Sequence, residues 1–477
     1  MTLAPKNLKE LEGYLASDNK VKVAVDGVLR GKFMSRDKFL SAAKDDGFGF
    51  CSVVFGWDIH DTVYPRELLV SNRANGYRDI LARIDLSLMR RIPWEDNVPL
   101  FLLYFLDPDT KEPIPVCPRG TLAKAVKQAE EHGWTCMAGC EYEYFQFKET
   151  PYTAAEKGYT RLTPLTPGMH GYSMLRTTLN QDYFHDLFNL SEAFGVQIEG
   201  HHTETGPGVF ETALAYTDAL RMADNAILFK LLAKSVGMKH GIMPSFMAKP
   251  WGNLPGCSGH THVSLRTKDG RNVFALSEEQ TKAGGRKDAQ YDDTRFISQE
   301  AEWFLAGVLE GLADIVPLLV PTINGYKRLV GGESFWAPNA VTWGYDSRAA
   351  SVRVIAPPSC PPKGTRFEVR VPGADMLPHF AIAAIFLTGL RGIARKSRLP
   401  CEPIGVLQAR PGGKESVRKL ASSLAEATAE MMKEGSVARE VLGDAFVDHY
   451  GGTRLHEVDV WNEAVTSWEV ERYLELA

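Results

Sequence analysis

Polar and apolar positions alternate in short runs through the first hundred residues and give way to longer periodic stretches beyond them. Residues 21–27, "VKVAVDG", alternate and end on an Asp-Gly turn signal, and residues 47–57, "GFGFCSVVFGW", read as another strand bounded by glycines. The span "DPDTKEPIPVCPRG", 107–120, is dense in turn formers, and "TLAKAVKQAEEHG" after it predicts a helix with Thr121 at its N-cap. A boundary here divides the chain into residues 1–115 and 116–477. Downstream, the spacing predicts helices over about 211–236 and 299–312, a largely buried helix in "FAIAAIFLTGLRGIARK" from Phe380, and helical segments around 417–433 and 463–475. There is no internal repeat or low-complexity tract.

One stretch breaks the apolar pattern. "MAGCEYEYFQF", 137–147, puts Glu141 and Glu143 two residues apart in an aromatic run, so an extended backbone turns both carboxylates to one face. Like charges this close are tolerated when exposed, protonated or bridged by cations. Three later stretches also set acids or histidines in strand-like or glycine-rich sequence. Glu204 and Glu211 lie in "EGHHTETGPGVFET", His260 and His262 in "GCSGHTHVSL", and Glu368 between Arg366 and Arg370 in "RFEVRV". Carboxylates joined by an imidazole suit Mg2+ or Mn2+, and two such ions held close together bridge a polyphosphate.

Composition narrows the function classes without choosing among them. A chain of 477 residues with 44% hydrophobic, 24% charged and 10% aromatic residues is ordinary globular material, long enough for more than one domain. A formal net charge of -5 gives no attraction to nucleic acid or to an anionic membrane. Seven cysteines, an odd set without a paired CxxC framework, fit a reduced, cytoplasmic setting. The opening "MTLAPKNLKELEGYLA" has no apolar signal core, and the most apolar later run is too short for a bilayer.

Taken in order, "CEYEYFQF", "HHTETGPGVFE", "KPWGNLPGCSGHTHVSL", "YKRLVGG", "WGYDSRAASVRV" and "RFEVRVPGADMLP" resemble the successive signatures of the glutamine synthetase superfamily, type I-like branch. The N-terminal "DGVLRGKFMSRDKF" resembles the same branch, particularly its members that make γ-glutamyl amides of organic amines. The resemblance implies an α+β fold, with a small N-terminal β-grasp domain before a larger α/β catalytic domain. It also implies self-association into dodecameric rings with active sites between neighbouring subunits. The implied reaction uses ATP to phosphorylate the γ-carboxylate of L-glutamate, after which an amine displaces phosphate.

Carried over by motif, Glu143, Glu204 and Glu211 surround one divalent ion, and Glu141, His260 and Glu368 the other, as Mg2+ or Mn2+. Arg328 resembles the residue gripping the α-carboxylate of glutamate, Arg348 the one beside the transferring phosphoryl group, and Arg370 a contact to glutamate or the acyl phosphate. Arg353 and Arg366 fall near ATP phosphates, and Glu199, His262, Ser264 and Lys363 on nucleotide-side positions. Gly256 falls at the glutamate site, although Pro255 stands where an asparagine is usual.

Two departures bear on the acceptor. The Asp-Gly-Ser-Ser signature of ammonia-using enzymes is absent from "DDGFGFCSVVFGWDIHD", and "KRLVGGESFWAPN" is longer than the usual acid-bearing loop. Trp336 stands where the loop glutamate would be, with Glu333 an alternative match, and Phe335 and Trp336 form an apolar wall suited to a neutral or aromatic amine such as aniline. A polyamine would instead use Asp58, Asp61 and Glu333. An ammonia-using enzyme and a non-catalytic ring protein are the remaining alternatives.

Overall fold

Alternation in the N-terminal region becomes a mixed sheet of six strands in the computed structural model, which describes residues 4–24, 28–45, 47–330, 337–413 and 416–477. The strands are β1 (Lys20–Ala24), β2 (Gly31–Ser35), β3 (Phe48–Cys51), β4 (Asp79–Ile84), β5 (Arg90–Ile92) and β6 (Val98–Leu106), in the order β2-β1-β6-β4-β3 with β5 beside β6. β1 runs parallel to β6, and the other pairs are antiparallel. The helix Arg36–Lys44, capped by Ser35, packs on this sheet through Phe39, whose ring centroid lies 4.7 Å from that of Phe101. This is the β-grasp part of an α+β fold. The strand expected over 47–57 is β3, which stops at Cys51 because residues 52–55 close into a 3-10 turn; the Asp26-Gly27 turn lies outside the described residues.

The second sheet has nine strands: β7 (Trp134–Phe147), β8 (Ile198–Thr203), β9 (Phe210–Leu214), β10 (Thr217–Asp218), β11 (Met243–Ser245), β12 (Gly259–Thr267), β13 (Trp343–Tyr345), β14 (Val352–Ile355) and β15 (Arg366–Val369). Its main path is β13-β14-β15-β12-β7-β9-β8, with β10 and β11 also paired to β7. Every pair is antiparallel except β13 with β14. Helix Ala219–Lys239 packs on β7, where Tyr142 and Tyr144 are fully buried; helix Gln299–Leu319 meets β15 through Phe304 and Phe367, and helix Pro378–Arg395 packs on that helix. The last two helices cross at Gly307 and Gly392, where a Cβ on Gly307 would stand 2.6 Å from the Gly392 Cα, so the close crossing needs glycine on both sides.

Several helix limits differ from the periodicity. The helix expected from 211 begins at Ala219 behind an Asp218 cap, because Phe210, Glu211 and Thr212 pair between β7 and β8. The helix expected to be capped by Thr121 runs Pro118–Glu131 with Cys117 as N-cap; Pro118 starts the turn, and the Thr121 hydroxyl bonds back to the Cys117 carbonyl at 3.0 Å. The helix expected to end at 312 continues to Leu319. Near 417 the chain is extended, with a bridge from Lys419 to Ala340, and the helix there is Leu424–Met432. A twenty-residue helix, Asp444–Glu463, was not foreseen, and the final one is Ser467–Tyr473.

The two parts of the chain are joined by buried charge. Arg119 donates through Nε to Asp224 Oδ1 at 2.9 Å, and its guanidinium lies 4.2 Å over the Tyr104 ring of β6. Among the described residues, no helix is long and apolar enough to cross a membrane.

Candidate active site

Strand register gathers the acids and imidazoles. In the antiparallel ladder His260 on β12 pairs with Glu141 on β7, Glu143 pairs with Glu211 on β9, and Glu211 pairs with His202 on β8. On the other side Glu368 of β15 pairs with His262 and with Arg353 of β14. Paired residues project to the same face, so the i, i+2 spacing of each motif becomes one polar surface across six strands. The intervening Tyr142 and Tyr144 point the other way, into the core.

Two compact ligand groups stand on this surface. Glu141, His260 and Glu368 each place one donor atom within 4.8 Å of the others, and so do His202, Glu204 and Glu211. His260 Nδ1 is 3.7 Å from Glu141 Oε2 and 3.4 Å from Glu368 Oε1. His202 lies 3.6 Å from Glu211 and 3.9 Å from Glu204. Glu143 belongs to neither compact group: its Oε2 accepts the Ser258 N–H at 2.6 Å, between the two. His202 was missed by sequence reasoning, although its i, i+2 spacing to Glu204 at a strand end was a usable signal.

Electrostatics reflects the crowding. Burial alone would raise Glu141, but hydrogen bonds from His260 and His262 hold it well below the usual carboxylate range. Burial also opposes ionisation of Glu368, yet His260, Arg370 and His262 bring it down to about 2. Glu143 moves the other way: burial pushes it up and Glu211 adds like-charge repulsion, against the pull of His260 and the Ser258 amide. The hydrogen bond to Glu211 raises His202 to about 9. Two acid–imidazole groups with a further buried carboxylate between them fit a hard divalent cation in each, since such ions take oxygen donors and tolerate imidazole.

The residues expected at nucleotide-side positions come together, apart from Arg353. Glu199, His262, Ser264, Lys363 and Arg366 line one cavity of about 280 Å³, which Glu141 borders at its inner end. Arg366 Nε donates to His262 Nδ1 at 3.1 Å, leaving Nε2 3.0 Å from Glu141 Oε1 and so linking cavity and carboxylates. Tyr216 lines the same cavity and accepts from Arg266; it was not singled out, because one aromatic among small residues gave no signal. Arg353 lies outside the lining, donating to Glu368 Oε2 and to Asp346 Oδ1, each at 2.9 Å.

The remaining arginines surround the ligand groups. Arg370 donates to Glu368, and Arg328, only 4% exposed, donates to the Val371 carbonyl. Gly256 lies against Arg328: a Cβ there would stand 2.5 Å from the Ala248 carbonyl oxygen and 2.9 Å from the Arg328 Cγ. Arg348 is exposed beside Tyr172, whose ring stacks on His202 at 4.3 Å. Glu333, Phe335 and Trp336 lie outside the described residues. Asp58 and Asp61 are engaged elsewhere, Asp58 with His456 at 3.2 Å and Asp61 with Arg30.

Comparison with known proteins identifies the family. The profile of the glutamine synthetase catalytic domain matches residues 115–473. The type-1 glutamine synthetase 2 of Dictyostelium discoideum is 44% identical over 460 residues, 96% of this chain and 84% of that protein. The glutamate–isopropylamine ligase of a Pseudomonas species is 34% identical over 454 residues, 95% of this chain and 94% of that protein. The solved structure of a GmaS–ADP complex shares the fold at a TM-score of 0.79 and 23% identity, covering 98% of this chain and all (100%) of that one. The profile covers most of the chain and these relatives nearly all of it, so the chain belongs to the glutamine synthetase family.

Proposed function

We propose that the protein is an ATP-dependent ligase that joins the γ-carboxylate of L-glutamate to a small organic amine through γ-glutamyl phosphate. The observation that carries this reading is the shared sheet face, where two acid–imidazole groups adjoin a cavity lined by Lys363 and Arg366. Mg2+ or Mn2+ held by Glu141, His260 and Glu368, and by Glu143, Glu204 and Glu211 with His202, would supply charge neutralisation for the phosphates.

The protein groups then divide the work. Lys363, Arg366, His262 and Ser264 orient ATP, with Glu199 at the same cavity and Arg353 alongside. Arg328 holds the α-carboxylate of glutamate over Gly256. The γ-carboxylate oxygen attacks the terminal phosphorus of ATP and ADP leaves; Arg348 stabilises the charge that grows on the transferring group, and Arg370 steadies the acyl phosphate. The amine nitrogen, as a neutral nucleophile, attacks the acyl carbon, phosphate departs with the former carboxylate oxygen, and the proton that the nitrogen loses passes to the departing phosphate or to water. Residues 1–115 and 116–477 act as the two domains, assembled in the cytoplasm into dodecameric rings.

An organic amine is favoured over ammonia by the absent Asp-Gly-Ser-Ser signature and by the isopropylamine relative. Asp58 and Asp61 are tied to His456 and Arg30, which speaks against a polyamine channel built on them. Phe335 and Trp336 favour a neutral acceptor such as aniline, an argument from the sequence alone. Steady-state kinetics with ammonia, putrescine, isopropylamine and aniline at fixed glutamate and ATP test this. The reading expects the highest kcat/KM for isopropylamine or aniline. A maximum for ammonia overturns the amine preference, and one for putrescine overturns the apolar-acceptor reading.

A further inference from the structure

A buried lysine lies on the hidden side of the site. Lys230 projects from helix Ala219–Lys239 and is only 9% exposed. Its Nζ donates to the carbonyls of Ala374 and Met376 at 2.5 and 2.8 Å, and lies 4.7 Å over the ring of Tyr142, the residue between Glu141 and Glu143. Losing hydration on this scale is tolerated only when acceptors replace the water.

Residues 371–376, which Lys230 holds, form the wall on which the glutamate side is hung. Val371 gives its carbonyl to Arg328. Pro372 accepts the Gly259 amide at 2.9 Å, and Ala374 donates to the Cys257 carbonyl at 3.3 Å. Ser258, between those two residues, bridges to Gly373 and gives its amide to Glu143. Asp375 interacts electrostatically with both Lys230 and Arg328, and its Oδ2 accepts from the Thr322 hydroxyl at 2.5 Å. Its Oδ1 is shut off from water and finds no hydrogen-bond partner among the described residues. Arg328 thus faces two carboxylates, Glu143 and Asp375, and shares the second with Lys230.

We infer that Lys230 is a positioning residue for the glutamate site, setting Arg328 and Glu143 through residues 371–376, with Asp375 as the counter-charge shared by the two cations. The inference rests on the proposed role of Arg328 in holding glutamate. It assigns to the back of the sheet a control of glutamate affinity that the nucleotide cavity does not share, because none of residues 371–376 lines that cavity.

The test is a KM split in the purified full-length enzyme. Lys230→Met keeps the length of the side chain and removes the charge. The expected result is a rise in the KM for L-glutamate of about tenfold, the scale of one lost charge-assisted hydrogen bond, with the KM for ATP within about twofold of wild type. Asp375→Asn, which keeps the volume, moves the glutamate KM the same way and carries the test should Lys230→Met fail to fold. Combined with Arg328→Lys, Lys230→Met adds less than its single effect on kcat/KM for glutamate, because both act on the same contact. An unchanged glutamate KM in both single variants, equal rises for glutamate and ATP, or multiplicative effects in the double variant would overturn the inference alone. A wild-type enzyme that forms no amide with any amine overturns the ligase reading and the inference together.

Discussion

Glu143 and Glu211 stand directly opposite each other on neighbouring antiparallel strands, and the amide of Ser258, the residue before β12, holds Glu143 in place. Burial and the charge of Glu211 both resist ionisation of Glu143. A chain that sets two carboxylates in this way stores repulsion that a bound cation relieves. Glu143→Gln is therefore expected to abolish turnover while leaving the metal-free Tm equal to or above that of wild type. The rise in Tm on adding Mg2+ or Mn2+ should shrink. Thermal unfolding with and without metal, beside an activity assay, checks both; a variant with full turnover contradicts the account.

Arg348 is exposed beside Tyr172, whose ring stacks on His202, and its proposed role is to meet charge that develops only as phosphoryl transfer proceeds. Arg348→Ala should lower kcat by about a hundredfold, the usual scale for one lost electrostatic donor, with a smaller change in glutamate KM. The opposite split, a raised KM at unchanged kcat, makes it a ground-state binding residue.

Gly256 leaves no room for a methyl group, since the Ala248 carbonyl oxygen would lie 2.5 Å from it and the stem of Arg328 2.9 Å. Gly256→Ala should cost about 1–3 kcal/mol of stability by overpacking and displace Arg328, raising the glutamate KM. Denaturant unfolding and glutamate kinetics measure the two effects, and wild-type values in both rule out the close approach.

His449 ties helix Asp444–Glu463 to the N-terminal part by accepting the Val70 N–H at Nδ1, 3.4 Å away. Burial lowers its pKa to about 4, against the pull of the Phe55 backbone. The unfolded chain takes a proton here below about pH 6.5 and the folded chain only near 4, so stability is fully present above 6.5 and falls as pH drops across that window. The full loss is about 3 kcal/mol. His449→Gln should flatten the slope of unfolding free energy against pH between 6.5 and 4, and a slope identical to wild type refutes the assignment.

How much of this was legible in the sequence follows from what the residues had to satisfy. Alternation on a strand showed Glu141 beside Glu143 and His260 beside His262, but Glu141, His260 and Glu368, on three different strands, were grouped only through the ordered motifs; the structure brings them together. The nucleotide-side set, gathered in one cavity apart from Arg353, was readable only through the ordered motifs, since nothing local joins Glu199 to Lys363 across the chain. Helix Asp444–Glu463 escaped because Gly451 and Gly452 weaken a helical pattern. They are there to admit Met432 and Leu68, whose atoms would lie within 2.4 and 2.6 Å of an added Cβ. Lys230 escaped for another reason. A single lysine in an apolar helix reads as its solvent edge, and only the tertiary fold shows the carbonyls it reaches.

The most direct measurement follows an oxygen atom. With L-glutamate labelled by 18O in its γ-carboxylate, ATP, divalent metal and isopropylamine, mass spectrometry of the inorganic phosphate reports whether the carboxylate was phosphorylated. The account predicts one 18O transferred to phosphate for each γ-glutamyl amide formed. Amide accumulating with unlabelled phosphate contradicts a γ-glutamyl phosphate, and with it the reaction proposed for this site.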